Sequence, residues 1–445
     1  MTQPNFGRSA APTLSALCLA LCAGLASAQG ADDRARHARE APAWCGERCD
    51  AVVTDWSLTA HQAITAADGN MNPLAASRAL AMMHLAMHDA ANAARPRFAR
   101  YTALATNRQA DAAVAAAAAA HDVMAALYPQ QVTALLKPAL DRTMLEAGGG
   151  ASVTAGITLG KAAAQAVLAK RVDDGSNGTI DYAPGTRPGE YRFTPGFDFI
   201  FAPHWQSVTP FALTSASQFR VAAPPALASD TYRRDYDEVK RVGGKTGQRS
   251  ADETHYAAFW YEPSNVGWNR VARAVSASYR QDLWQRARSF ALLNVAMADA
   301  YIAGWDSKMH HNFWRPVTAI RLGDHDGNPR TLGDAAFESM LPTPPIQDMP
   351  STHSALGAAA ATVLAETHGR DTLRFSFASS TAMPGNPVRS FRSLSEAAIE
   401  NADSRVRAGL HFRFSTQAGL LLGRQIGRHA VDHLLKPVGG GHADH

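Results

Sequence analysis

Long segments of strong helix formers, with apolar residues recurring on a 3.6-residue period, constrain this chain more than any other feature. They include SRALAMMHLAMHDAANA from Ser77 to Ala93, DAAVAAAAAAHDVMAALY, GITLGKAAAQAVLAKR, RARSFALLNVAMADAYIAGW and HSALGAAAATVLAETHG. Ser250 and Glu253 in SADE have capping-box spacing, which starts a further helix through THYAAFWY. No β-branched alternation and no Asn-Gly hairpin series competes. A chain of 445 residues, 46% hydrophobic, can bury one or two cores. The pattern predicts an all-α protein of packed helical bundles.

One region breaks the helical texture. Residues 173–225 are rich in Gly, Pro and aromatics (DDGSNGTIDYAPGTRPGEYRFTPGFDFIFAPHW), and a stretch of that length in a compact protein is usually functional or a crossover. It divides the chain into a first helical bundle over 55–230 and a second over 231–435, followed by a flexible tail at 436–445. At the start, Arg8, the apolar run from Leu14 to Leu25 and the small residues before Gln29 read as an export signal over 1–28. Twelve apolar residues are too few to span a hydrocarbon core of ~30 Å. The mature chain is expected in the periplasm or outside the cell. There the 29–54 segment would be oxidised, making a Cys45–Cys49 disulfide plausible. The net charge of +4, without a block of like charge, points away from nucleic acid.

Three segments carry chemistry. In KMHHNFWRP, Lys308 and Arg315 are seven apart. On one helix they would share a face about two turns, ~10.5 Å, apart, with Pro316 ending that helix just after Arg315. In PTPPIQDMPSTHSALG, prolines lead to Ser351 or Thr352 as the cap of a helix whose first-turn N–H groups favour an anion, with His353 in that turn. In NADSRVRAGLHFRFS, Arg405 and His411 are six apart, and Gly409 lets one helix end and another begin between them. Alone, each has a bland reading as a solvated pair, a simple cap or a basic helix surface.

Together, and in this order, the three segments resemble the signature of the vanadium-dependent haloperoxidases, of the superfamily shared with type 2 phosphatidic acid phosphatases. The flanking segments RALAMMHLAMHDAANA, SADETHYAAFW and NVAMADAYIAGWDSKMHHNFWRP look like bacterial members of that group, so the resemblance runs from about Trp56 to Leu435. It implies two packed helical bundles with an oxyanion site in the second. It further implies that Lys308, Arg315 and Arg405 neutralise vanadate, that the Ser351 hydroxyl and Thr352 N–H complete the cradle, and that His411 bonds vanadium. His353 would be the acid–base residue. Trp305 and Ile346 fall where related enzymes tune the halide. His310 and His311 are read as packed or solvated.

The implied activity is oxidation of halide, bromide more readily than chloride, by hydrogen peroxide, with hypohalite passed to a small organic acceptor. A homodimer is compatible with it. Phosphate fits the same cradle, so a phosphatase working through a phosphohistidine at His411 stands as the alternative, as does an oxyanion binder without turnover. Two positions depart from the family pattern. Thr352 replaces a Gly, adding bulk beside the oxyanion. Ser415 replaces the Asp four residues beyond His411, so a hydroxyl stands where a carboxylate would orient the imidazole, and looser vanadate binding is expected.

Overall fold

The computed structural model describes residues 48–438. The export signal and the Cys45–Cys49 pairing lie outside the described residues. The helices run in chain order as α1 (Arg48–Ala66), α2 (Pro73–Ala94), α3 (Ala112–Leu127), α4 (Lys137–Ala147), α5 (Ala151–Lys170), α6 (Asp230–Val242), α7 (Ala251–Phe259), α8 (Ser264–Ser278), α9 (Leu283–His311), α10 (Pro316–Arg321) and α11 (Thr352–His368). A hairpin of β1 (Phe375–Ala378) and β2 (Val388–Phe391) follows, then α12 (Leu394–Arg407) and α13 (Arg413–His433). The fold is all-α, as the helical periodicity predicts. The antiparallel hairpin was not foreseen; its four-residue strands pair Phe375 with Phe391 and are too short to leave an alternation in the sequence.

Two groups of helices share α9. On one side α2 packs on α3 and α5, and on the other α11 packs on α12 and α13; α9 touches α2 as well as α11 and α13. The alanines of α3 from Ala112 to Ala120 are all buried, because a helix apolar on every side finds its place inside a core. α9 is buried at Leu283, Trp284, Arg286 and Ala287 and from Ser289 to Lys308. At 29 residues it is ~44 Å long by the usual rise per residue. The α11–α13 contact is a seam of small residues: a Cβ at Gly419, Gly423 or Gly427 would collide with the backbone carbonyl of Ser351, Ala355 or Ala359 respectively. This close approach fixes the start of α11 against the start of α13.

The Ser250–Glu253 capping box forms at the start of α7. Residues 171–229 contain only a short 3-10 turn at Pro203–Ser207. The segment is tied across the end of α9, with Tyr191 N–H donating to Asn312 O at 2.8 Å and Phe201 N–H to Pro345 O at 2.7 Å.

Candidate functional site

Lys308 and Arg315 do not share a helix. α9 ends at His311, Asn312 takes the left-handed conformation at φ 48°, and Arg315 is the N-cap of the next helix, α10. Asn tolerates that backbone geometry, so the helix stops four residues earlier than Pro316 alone would require. The chain reverses instead of continuing, and both side chains reach one buried point from different elements. Lys308 Nζ donates to Gln347 O at 2.5 Å and Asp348 O at 2.9 Å. Arg315 Nε donates to Ile346 O at 2.7 Å, and its Nη1 to Leu410 O at 2.8 Å. Arg405, in the last turn of α12, donates to Trp260 O at 3.4 Å and lies 5.6 Å from the Tyr261 ring centroid, within cation–π range.

Lys308, Arg315 and Arg405 are at most 1% exposed. Burial, then the charge of Arg315, presses the Lys308 ammonium well below its usual range. Burial likewise lowers Arg405 to about 10. Arg405 Nε is buried with no hydrogen-bond partner. Lys308 and Arg315 share one buried carboxylate, Asp348, which burial pushes up to about 7 against their pull, and Arg405 adds a third buried cation beside Arg315. Such a pocket is stable only if something negative shares it. An oxyanion therefore fits the residues present.

Ser351 is the N-cap of α11, and its Oγ lies 3.0 Å from Ser354 Oγ. Thr352 and His353 are in the first turn, where N–H groups face outward along the dipole. The bulk of Thr352 is accommodated: its Cγ2 fills the space beside Gly304 of α9, where a Cβ would collide with it. The part-buried His353 places Nε2 3.2 Å from Glu262 O. A carbonyl only accepts, so Nε2 carries the proton and Nδ1 the lone pair. Burial, then Arg405, Arg315 and Lys308, hold this imidazole neutral.

Gly409, at φ 78°, turns the chain between α12 and α13. His411 is delivered two residues before α13. Its Nε2 is 2.9 Å from Arg315 Nη1, and because the guanidinium only donates, Nε2 is the bare nitrogen. Burial and the three cations keep the ring neutral. Nδ1 lies 3.4 Å from Ser415 Oγ and 2.9 Å from Asp348 Oδ1. The acid missing at position 415 is thus present from another segment, and the expectation that His411 has only a hydroxyl beside it is corrected.

Trp305, one turn before Lys308, is buried with Nε1 3.2 Å from Phe201 O and its ring edge-on to Tyr301. Ile346 is buried and contributes its carbonyl to Arg315. His311 is tied to Val221 O at 2.8 Å, while His310 is exposed. The sequence reading missed Asp348, Tyr261 and Tyr301. Asp348 stands two residues before Pro350, inside the quoted second segment, but nothing in its local spacing links it to His411.

An all-α fold here gathers three buried cations, a helix N-terminus and two neutral imidazoles into one region, a class of site whose charge suits an oxyanion. Comparison with known proteins narrows the class. Residues 288–440 match the family model of the VCPO second helical-bundle domain. Vanadium chloroperoxidase of Curvularia inaequalis is 28% identical over 464 aligned positions, covering 78% of this chain and 75% of that protein. The crystal structure of the first bacterial vanadium-dependent iodoperoxidase superposes with a TM-score of 0.70 at 26% identity, covering 88% of this chain and 98% of that one. A holo-type bacterial vanadium-dependent chloroperoxidase shares the fold, with a TM-score of 0.65 at 20% identity over 81% of this chain and 91% of that one. The chain is similar to the vanadium-dependent haloperoxidases, in keeping with what the three motifs imply.

Proposed function

We propose that this chain is an exported, vanadate-dependent haloperoxidase that uses hydrogen peroxide to oxidise halide, with bromide the better substrate. The observation that carries the reading is the buried surplus of positive charge around a bare imidazole nitrogen, His411 Nε2. Bound vanadate supplies the transfer of an oxygen from peroxide to halide without changing its own oxidation state.

The protein's own residues do the rest. Lys308, Arg315 and Arg405 compensate the anion's charge, the two arginines through planar forks suited to oxyanions. The first-turn N–H of Thr352 and the Ser351 hydroxyl offer donors at the positive end of α11. His411 offers the Nε2 lone pair, which Arg315 covers here and would release. His353 takes a proton from incoming peroxide at Nδ1 while Glu262 O holds its Nε2–H, and returns it to the leaving oxygen. Trp305 and Ile346 are the halide-tuning candidates.

Paired assays test the reading: peroxide-driven bromination and phosphomonoester hydrolysis, each with and without orthovanadate. Bromination that requires vanadate supports it. Hydrolysis that vanadate inhibits, without bromination, would replace it with a phosphatase acting through His411. Binding without either turnover would leave an oxyanion carrier.

A further inference from the structure

We propose that Asp348 is the positioning carboxylate of His411, filling from the loop before α11 the role that Ser415 cannot. The proposal rests on the vanadate reading above. Its carboxylate Oδ1 lies 2.9 Å from His411 Nδ1, whereas the nearest guanidinium nitrogen of Arg315 stands at 4.0 Å. Lys308 addresses the backbone carbonyl of Asp348 and not its carboxylate. The carboxylate is fully buried, and neither of its oxygens has an aligned hydrogen-bond donor. The Ser415 hydroxyl and the Phe412 N–H lie near enough to favour its ionised form, and the imidazole is its 2.9 Å partner, with the ring N–H at contact distance but out of line in this conformation. The distance is the more telling observation, because rotation about the His411 side chain changes the alignment while the carboxylate stays in place.

The backbone of Asp348 is held firmly. Its N–H donates to Phe313 O at 3.0 Å, and its carbonyl accepts from Lys308 Nζ and, at 3.0 Å, from Ser415 Oγ. Ser415 thus keeps a part in the arrangement: it anchors the residue that carries the acid. A carboxylate on Nδ1–H fixes the tautomer with Nε2 bare and makes that nitrogen a stronger donor.

The competing role, a plain counter-charge to the cations, makes an opposite prediction. Removing a negative charge from an anion pocket should help every anion alike, while losing an imidazole partner should harm only the anion bonded through Nε2. Vanadate and inorganic phosphate affinities are to be measured by calorimetry on the full chain. In Asp348→Asn the vanadate-to-phosphate affinity ratio is expected to fall ~10 to 100-fold, the usual effect of losing an outer partner of a metal ligand. The Asp348→Asn/Ser415→Asp double variant should recover most of it. Affinities that move together, in the same direction and by the same factor, overturn the proposal.

A second measurement needs no folded variant of Asp348. In the ¹⁵N spectrum of histidine-labelled wild-type protein, the His411 signal, assigned by its loss in His411→Gln, should show Nδ1 protonated and Nε2 bare; the opposite tautomer overturns the proposal. A wild-type protein with no preference for vanadate over phosphate would instead defeat the vanadate reading, leaving the tautomer to decide the role of Asp348.

Discussion

Two buried charge clusters, one on either side of α9, are solved in opposite ways. Where α5 meets the irregular segment, Arg171 is 2% exposed, and both it and Arg78 reach Asp174 Oδ2 at 2.7 Å. Arg171 also donates to Thr209 O and Pro210 O and lies 3.8 Å from the centroid of the Phe211 ring. Its charge is shared with an acid and both terminal guanidinium nitrogens are bonded, although its Nε, like that of Arg405, has no partner. In the second cluster Lys308 and Arg315 share one carboxylate, Asp348, which faces a histidine, while Arg405, which lies beside Arg315, has no ion pair among the described residues. The lesson is that burial of charge does not mark a site, since Arg171 and Asp174 are nearly as buried as the cations of the second cluster. Incomplete compensation marks it. The histidines follow the same division: His84 in α2 is buried with neither ring nitrogen hydrogen-bonded and its ring against Phe290, whereas both His411 nitrogens have polar partners, Arg315 at Nε2 and Asp348 at Nδ1.

The sharpest way to break this contrast is His411→Ala. It should abolish vanadate-dependent bromination while phosphate binding, followed by calorimetry, persists; retained bromination would mean that Nε2 is not the bonding atom. Next in size is Arg171→Met, expected to lower unfolding free energy by ~3 kcal/mol, as breaking a buried ion pair does, with vanadate affinity unchanged. Urea denaturation and a vanadate titration on the same sample would check both halves of that statement. Lys308→Met should show the converse. Loss of one charge-assisted contact, worth ~1.5 to 3 kcal/mol, weakens vanadate roughly 10 to 100-fold, and anion-free stability should fall less than in Arg171→Met.

The smallest effect concerns His84, whose burial, with His61 and Arg273 adding to it, lowers its pKa to about 3. With the folded value below the unfolded 6.5, the unfolded chain binds the extra proton. The contribution of the neutral ring is therefore full above about pH 6.5 and is lost as pH falls towards 3. His84→Leu should flatten that part of the acid limb, read as urea midpoints at pH 7.5 and 4.5, and leave vanadate affinity untouched. An unchanged acid limb would show that other groups set it.

The helices and the candidate anion-holding residues were legible because they are local in sequence. Ala112–Leu127 announces itself by composition, Ser250 and Glu253 by capping spacing, and Gly409 by the need for a turn between Arg405 and His411. The seven-residue spacing of Lys308 and Arg315 misled, since a single left-handed Asn312 undoes the continuous helix that the spacing implies. Asp348 was out of reach for a different reason: it is 63 positions from His411 and meets it only because the glycine seam brings α11 and α13 together. The same holds for Thr352, whose extra bulk looked like an obstruction until Gly304, 48 positions earlier, supplied the room.

Lys308 and Arg315 are gripped by carbonyls of Ile346, Gln347, Asp348 and Leu410, atoms that every residue type possesses. Mutation at 346 or 347 therefore leaves the fixtures of the cations in place. A substitution at either position changes a side chain without removing the carbonyl that holds a cation. The limit on such exchange is packing, since Ile346 and Gln347 are both buried and the Gln347 amide also donates to Asn312 Oδ1.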